Sequence, residues 1–374
     1  MAGGPWNKGG SAHLAEAAAD VAFDFRSDVV TVPTESMLRA VWHTTYKDDV
    51  HREDATTESF QRDMAAMTGH EAGLFVLSGT MGNGLALRSL LSQPPYAILV
   101  DARSNVLNWE TGHVASSTGA LVQPVEARRN GKYLTLEDIL DHVVLDESVT
   151  SCPTRVIALE NTLHGMIMPL IEVRRIASFA REHGVKLHLD GARLFDASVA
   201  GAGSLADYCR EFDTVSLCFS KGLGAPVGSM LVAGEQVIRQ ARKLRQSIGG
   251  GLHQAGILTA MARVALFEIF GDGADGQHSV LATCHQKAAQ IAELWVRSGG
   301  KLLKPAETCM VFLDLQSAGL SKPDLVSMAA EQGLRIMSER LVVHHRKYSP
   351  HSTYCCLTLT DHPRRDHQRG DPTS

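Results

Sequence analysis

Residues 185–195 have the sequence VKLHLDGARLF, a short apolar run that ends at Asp190. Residues 214–229, TVSLCFSKGLGAPVGS, repeat this arrangement, and Lys221 follows the second apolar run. Short apolar runs bounded by turn residues are typical of buried β-strands. If the two strands are neighbours in an open α/β sheet, Asp190 and Lys221 lie at its carboxyl edge, where such sheets bind ligands.

The pattern of strands and helices extends along most of the chain. Further apolar runs predict strands at GLFVL (73–77), AILVD (97–101), VIALE (156–160) and SMLVA (229–233). Helical spacing predicts helices over Thr56–Thr68, ending at Gly69, and over Glu172–His183, and a capping box predicts a helix start at Thr135. Strands that alternate with helices predict an α/β fold with a mostly parallel sheet between helices.

The length of 374 residues favours more than one domain, because single cores stop growing at about 250–300 residues. We expect a large domain over residues 23–270 and a smaller C-terminal α/β domain over residues 271–350. Residues 1–22 are rich in Gly and Ala, with little periodicity, and predict a flexible arm. Residues 351–374 are polar and predict a disordered tail.

Composition argues against several classes of protein. The net charge is −5, and no basic cluster indicates nucleic-acid binding. The seven cysteines are scattered without zinc-ligand spacing, which predicts reduced thiols, a cytoplasmic location and no metal site. No signal-peptide core and no run of about 18 apolar residues occurs, so we expect no membrane association.

Three features together point to pyridoxal 5′-phosphate (PLP) chemistry. SGTMGNG (78–84) lies between a predicted strand and a predicted helix, where backbone N–H groups bind anions, and it matches neither a dinucleotide loop nor a Walker loop. Each feature alone is common in other roles. A phosphate loop, an acid at Asp190 and an amine at Lys221, in that order, are what PLP requires.

Seven segments resemble the threonine aldolase family, in order, over about residues 23–345. They are FRSDVVTVPT (25–34), DDVHRED (48–54), SGTMGN (78–83), ENTLHG (160–165), HLDGARLF (188–195), SKGLGAPVGSMLV (220–232) and GGGLHQAG (249–256). The resemblance implies the aspartate-aminotransferase-like fold and PLP-dependent cleavage of β-hydroxy amino acids to glycine and an aldehyde. It also implies a homodimer or homotetramer whose subunits share active sites.

The resemblance also implies roles for individual residues. Lys221 corresponds to the Schiff-base lysine, Asp190 to the partner of the pyridine nitrogen, and His164 to the general base or water-holding residue for the β-hydroxyl. Gly79 and Thr80 are expected to hold the phosphate. Ser27, Arg193 and Arg340 are expected to bind the substrate carboxylate or cofactor oxygens.

Three departures from the family pattern affect the expected chemistry. Asn105 stands where the family has a histidine that stacks on the cofactor ring, and an amide cannot take a proton at neutral pH. Gln246 and His253 replace a Lys and an Arg that reach the cofactor phosphate of a neighbouring chain. The sequence after His344 lacks the usual closing amphipathic helix.

These departures leave three functions open. The first is an aldolase acting on a threonine-like amino acid. The second is an amino acid racemase with an alanine-like substrate on the same fold, and it is compatible with Asn105. The third is a PLP-binding protein without turnover, which the intact Lys221, Asp190, Arg193 and Arg340 argue against.

Overall fold

The computed structural model describes residues 10–271 and 278–346. The strands in these ranges are β1 (Ala72–Val76), β2 (Ala97–Asp101), β3 (Leu121–Val125), β4 (Thr154–Glu160), β5 (Lys186–Gly191), β6 (Thr214–Cys218), β7 (Ser229–Ala233), β8 (Lys301–Lys304), β9 (Met310–Asp314) and β10 (Arg340–Val342).

The α-helices in the same ranges are α1 (Gly10–Val21), α2 (Glu35–Ala40), α3 (Ala55–Thr68), α4 (Gly79–Leu90), α5 (Asn105–Asn108), α6 (His113–Thr118), α7 (Leu136–Leu140), α8 (Leu170–Glu182), α9 (Leu194–Val199), α10 (Leu205–Cys209), α11 (Glu235–Ser247), α12 (Gly256–Ala265), α13 (Val280–Arg297) and α14 (Lys322–Glu331). No helix in the described ranges combines the length and apolarity that crossing a bilayer requires.

A seven-stranded sheet in the order β1-β7-β6-β5-β4-β2-β3 forms the centre of the fold. Its neighbouring strands are parallel from β6 to β3, and β7 runs antiparallel to both β1 and β6. The predicted α/β fold with a mostly parallel sheet is therefore confirmed. A separate antiparallel sheet, β10-β9-β8, forms the smaller α/β unit.

Two elements differ from the sequence-based expectations. Gly10–Val21, within the expected flexible arm, form helix α1, which the sequence analysis did not predict although alanine has the highest helix propensity. The flexibility of the arm stays a prediction. Strand β3 was not predicted, since it is an edge strand that contains Gln123 and Pro124 and is only partly buried. Proline is tolerated at a sheet edge. The domain boundaries stay a prediction, and the expected tail at 351–374 lies outside the described residues.

The segment around Phe25 connects the two sheets. Phe25 is buried with the core of the smaller sheet, and its N–H donates to the carbonyl oxygen of Arg335 at 2.7 Å. The following residues, Ser27 and Asp28, return to the large sheet, where Asp28 meets Arg193. The segment from Phe25 to Asp28 therefore passes from the core of the smaller sheet to the large sheet.

Helix α4 packs closely on the sheet and brings its first turn to the carboxyl edge. Ser78 caps the helix by accepting a hydrogen bond from the N–H of Met81 at 3.1 Å. A Cβ atom at Gly82 would lie 2.5 Å from the Ser216 hydroxyl on β6, so glycine is needed for this approach.

A buried ion pair fixes α11 to the sheet. Arg245 is 1% exposed, donates to the carbonyl oxygen of Phe75 at 2.7 Å and pairs with Asp49 at 2.5 Å. Arg242 is the second cation beside Asp49, at 3.5 Å. Removing one member of a buried pair leaves an uncompensated charge.

We expect Arg245→Met to lower the free energy of unfolding by about 3–5 kcal/mol, because it removes the hydrogen-bonded partner of the buried Asp49 carboxylate. Urea denaturation measures this loss. Arg239→Met, on the exposed face of the same helix, is the matched control and should change stability by less than about 0.5 kcal/mol. Equal effects of the two substitutions would show that the buried pair has no special role.

Candidate active site

Asp190 is a buried carboxylate at the end of β5. Its Oδ2 accepts a hydrogen bond from the side-chain amide of Asn83 at 2.9 Å, and its Oδ1 accepts from the N–H of Ala192 at 3.0 Å. Asn83 comes from the first turns of α4, so the helix and the strand position this carboxylate together. Asp190 is 3% exposed, and its place at the carboxyl edge is the one that the sequence predicts.

Asn83 is itself oriented by His188, which lies two residues before Asp190 on β5. The Asn83 amide nitrogen faces carboxylates, so its Oδ1 must accept the hydrogen bond from His188 Nε2 at 3.0 Å. His188 Nδ1 then accepts from the Thr214 hydroxyl at 2.9 Å. Burial lowers the pKa of His188 to about 4, which keeps the ring neutral, and the bond to Asn83 Oδ1 selects the tautomer with the proton on Nε2.

Two further acids, the buried Glu110 and the partly buried Glu160, lie beside Asp190, and the sequence-based site includes neither. Glu160 ends β4 directly opposite Asp190 in the parallel register, and Glu110 accepts from Asn83 at 2.9 Å. Burial first, and the charge of Asp190 next, raises the pKa of Glu160 to about 8. The sequence does contain a signal for Glu160, because Glu160 and Asp190 are acids that end two successive predicted strands.

Asn105 bridges these two acids. Its side-chain Nδ2 donates to Glu110 Oε1 at 2.8 Å, and its backbone N–H donates to Glu160 Oε2 at 2.7 Å. The amide at the position of the expected stacking histidine is therefore bound to a carboxyl group.

Lys221 lies in a half-buried turn after β6, close to the acids. The carbonyl oxygen of Lys221 accepts from the Thr31 hydroxyl at 3.2 Å, and His345 Nδ1 bonds the carbonyl oxygen of Gly222 at 3.0 Å. The Lys221 ammonium opposes the rise in the pKa of Glu110 and helps to lower that of Asp28. The structure thus brings the predicted amine and the predicted acid to one edge of the sheet.

Arg193 is paired within the chain. Its guanidinium donates to both oxygens of Asp28, at 2.6 and 2.8 Å. Burial would raise the pKa of Asp28, but the charge and hydrogen bonds of Arg193 outweigh it and hold the pKa at about 2. The pKa of Arg340 is lowered, first by burial and then by the nearby positive charge of Arg193. Ser27 caps the turn that carries Asp28.

The first turn of α4 offers donors for an anion. The first N–H groups of a helix have no intrahelical acceptor, and here they belong to Gly79 and Thr80. The Ser229 hydroxyl oxygen lies 3.9 Å from where a Cβ of Gly79 would be. It is buried without a hydrogen-bond partner among the described residues.

His164 lies on the side of the site that faces the smaller sheet. Its ring is nearly parallel to that of Phe312, with centroids 6.5 Å apart. Burial first, and the charge of Lys304 next, lowers the pKa of His164, so its ring is neutral and able to accept a proton. Lys304 lies over the Phe312 ring at 3.7 Å, and burial lowers its pKa to about 8.

Gln246 and His253 are outside the network around Asp190. His253 is largely exposed and pairs with Asp48 at 2.7 Å. Gln246, near the end of α11, lies next to Gly251. Their expected contact is with the site of a neighbouring chain, and it stays a prediction.

Comparisons with known proteins find relatives over most of the chain. The model of the beta-eliminating lyase family matches residues 24–318. An aldolase, vrtJ, of Penicillium aethiopicum is 51% identical and covers 87% of this chain and 82% of its own length. The alanine racemase TOXG of Cochliobolus carbonum is 44% identical, with coverages of 91% and 85%.

A low-specificity L-threonine aldolase of Candida albicans is also 44% identical, with coverages of 86% and 84%. Among solved structures, the threonine aldolase of Leishmania major superimposes with a TM-score of 0.73 at 19% identity, covering 90% of this chain and 97% of that one. At that identity the likeness concerns the fold alone.

The pair of Asp28 and Arg193 predicts an acid-sensitive contribution to stability. The folded pKa of Asp28, about 2, lies below the ordinary value of about 3.9, so the contribution is present above pH 4 and is lost as the pH falls towards 2. Its size is about 2.5 kcal/mol.

We expect the stability of the Asp28→Asn/Arg193→Gln double variant to fall less steeply than that of the wild type between pH 5 and pH 2.5. Chemical denaturation at a series of pH values measures both slopes. Identical slopes would show that Asp28 is not stabilised as an anion by Arg193.

Proposed function

The chain belongs to the beta-eliminating lyase family, and within it we propose a PLP-dependent aldolase that cleaves a threonine-like β-hydroxy-α-amino acid to glycine and an aldehyde. The observation that carries the proposal is the buried Asp190 carboxylate, held by Asn83 and Ala192 at the same sheet edge as Lys221. The similarity to threonine aldolases over most of the chain supports the same reaction.

The residues at this edge fit PLP. Asp190 offers a fixed negative charge for a protonated ring nitrogen, and Lys221 offers an amine for the aldehyde group. The N–H groups of Gly79 and Thr80 suit a phosphate, as does the Ser229 hydroxyl, which has no hydrogen-bond partner in the described part of the chain. When bound, PLP supplies an electron sink for the charge that develops at Cα.

The cations near Lys221 suit the substrate carboxylate. Arg193 is already engaged by Asp28, whereas the hydrogen bond of Arg340 to the carbonyl oxygen of Arg26 is long, at 3.4 Å. We therefore propose that Arg340 binds the substrate carboxylate. The ion pair of Arg193 and Asp28 then forms a fixed side of the same binding site. A guanidinium binds a carboxylate with two parallel hydrogen bonds, which fixes the orientation of Cα.

His164 is the proposed acceptor of the β-hydroxyl proton. A general base must be unprotonated before it acts, and burial and the nearby Lys304 charge lower the pKa of His164 and keep its ring neutral. Transfer of this proton allows the Cβ–O group to become the carbonyl of the leaving aldehyde as the Cα–Cβ bond breaks.

We expect the purified protein with PLP to release glycine and acetaldehyde from L-threonine or L-allo-threonine. Lys221→Ala should lower this activity by at least about a thousandfold, because it removes the reacting amine. Lys243→Ala, on the exposed surface of α11, is the matched control and should retain activity. Chromatographic analysis of the reaction mixture measures glycine, acetaldehyde and the remaining substrate.

The same assay with L-alanine tests the racemase. Asn105 and the similarity to TOXG favour this second candidate. If D-alanine forms and threonine gives no aldehyde, the protein is a racemase and not an aldolase. If PLP binds but no product forms from either substrate, both activities are excluded.

We also propose a homodimer or homotetramer in the cytoplasm. Large aromatic side chains are exposed on the single chain, with Trp42 at 80%, Trp109 at 76% and Tyr46 at 52%. Apolar surface of this kind is typical of interfaces. The scattered cysteines, without a disulfide framework, support the location.

We expect sedimentation to give a multiple of the 40.4 kDa chain mass, and Trp42→Glu to shift it towards the monomer. A charge in an apolar interface opposes association. A wild-type protein that sediments as a monomer with full activity would contradict shared active sites.

A further inference from the structure

Two buried carboxyl groups share one amide beside the proposed cofactor site. Asn83 Nδ2 donates one hydrogen to Asp190 Oδ2 and the other to Glu110 Oε1, both at 2.9 Å. Asn105 adds a second donor to Glu110 Oε1 at 2.8 Å. Glu110 Oε2 is buried and has no hydrogen-bond partner among the described residues.

The two oxygens of Glu110 are therefore in unequal environments. Oε1 receives two amide donors, as a carbonyl oxygen does, whereas an anionic Oε2 would be a bare buried charge. An unpaired buried charge is strongly unfavourable, and the group takes up a proton instead. A neutral carboxylic acid with its proton on Oε2 removes this buried charge and leaves Oε1 as the carbonyl oxygen that accepts from both amides.

The surrounding charges favour the same state. Asp190 and Glu160 are the nearby acids, Lys221 is the nearby cation, and His188 is held neutral in its network. His113, on α6, follows Glu110 closely and donates its backbone N–H to the Glu110 carbonyl oxygen. Burial first, and then Asp190, raises the pKa of Glu110 to about 7 despite Asn83, Asn105 and Lys221.

We propose that Glu110 is a positioning residue that carries a proton on Oε2 and, through the shared Asn83 amide, leaves Asp190 as the ionised member of the pair. Asn105 cannot titrate, so the ionisable group at this position of the site is the carboxyl to which Asn105 is bound. The inference rests on the proposed function only where it concerns the cofactor, because the shared amide exists in the chain alone.

Infrared spectroscopy of the cofactor-free protein tests the proton directly, since a neutral carboxyl has a carbonyl stretch that a carboxylate lacks. We expect such a band in the wild type at pH 6, decreasing as the pH rises through the pKa of about 7, and its loss by one carboxyl per chain in Glu110→Gln. Glu160→Gln identifies the band of the other acid. The exposed Glu126→Gln is the control and should leave the neutral-carboxyl band unchanged.

A second variant keeps the test valid if Glu110→Gln does not fold. Asn105→Ala removes one donor from Glu110 Oε1 and should move the midpoint of the band to a higher pH by about one pH unit. An unmoved midpoint, or a neutral-carboxyl band that is not reduced by one carboxyl per chain in Glu110→Gln, would overturn the proposal.

The holoenzyme gives an independent readout. A glutamine side chain is a poor copy of a carboxylate but a close copy of a neutral acid, so Glu110→Gln should keep kcat/KM at pH 6 within about threefold of the wild type. The ionisation near pH 7 should disappear from its pH profile. A folded variant that loses activity at pH 6 would contradict the neutral acid, whereas absence of aldolase activity in both proteins, with the infrared result intact, would refute only the proposed function.

Discussion

The side-chain amide of Asn83 is the interaction on which the site depends. It accepts from His188 and donates to Asp190 and Glu110, so its hydrogen-bonding capacity connects β5, α4 and the segment after α5. Gly82 lets α4 approach β6 closely, which helps to bring Asn83 within reach of these partners. One polar network therefore holds both the helix that offers donors to an anion and the Asp190 carboxylate.

Electrostatic balance follows from this network. Three acids, Asp190, Glu160 and Glu110, gather at the ends of adjacent elements, where Lys221 supplies a nearby ammonium. Buried acids that outnumber their cations share protons rather than remain ionised together. The opposite arrangement holds at Asp28, which Arg193 neutralises with two hydrogen bonds and which stays ionised. Acids that share protons and the ion pair of Asp28 and Arg193 therefore occupy separate positions at the same edge of the sheet.

The sequence was sufficient for the parts of this arrangement that depend on local patterns. Apolar runs indicated most strands of the large sheet, and a capping box indicated the start of one helix. Asp190 and Lys221 were expected at the carboxyl edge of the sheet because both follow such runs. Strand β3 was missed because an edge strand with Pro124 lacks an apolar run, and α1 because alanine-rich helices need no apolar period. The role of Glu110 depends on distances between residues far apart in the chain, which spacing does not reveal. For the same reason, the pairing of Arg193 with Asp28 was not foreseen.

The central claim is that Lys221 is the amine that reacts with the cofactor. Lys304 is the most demanding alternative, because burial lowers its pKa to about 8 and it lies near His164. Treatment of the protein and PLP with borohydride fixes the covalent bond between cofactor and amine, and mass spectrometry of the peptides then locates it. The account predicts the added mass on the peptide that contains Lys221. Modification of Lys304 instead, or of no lysine, would contradict it.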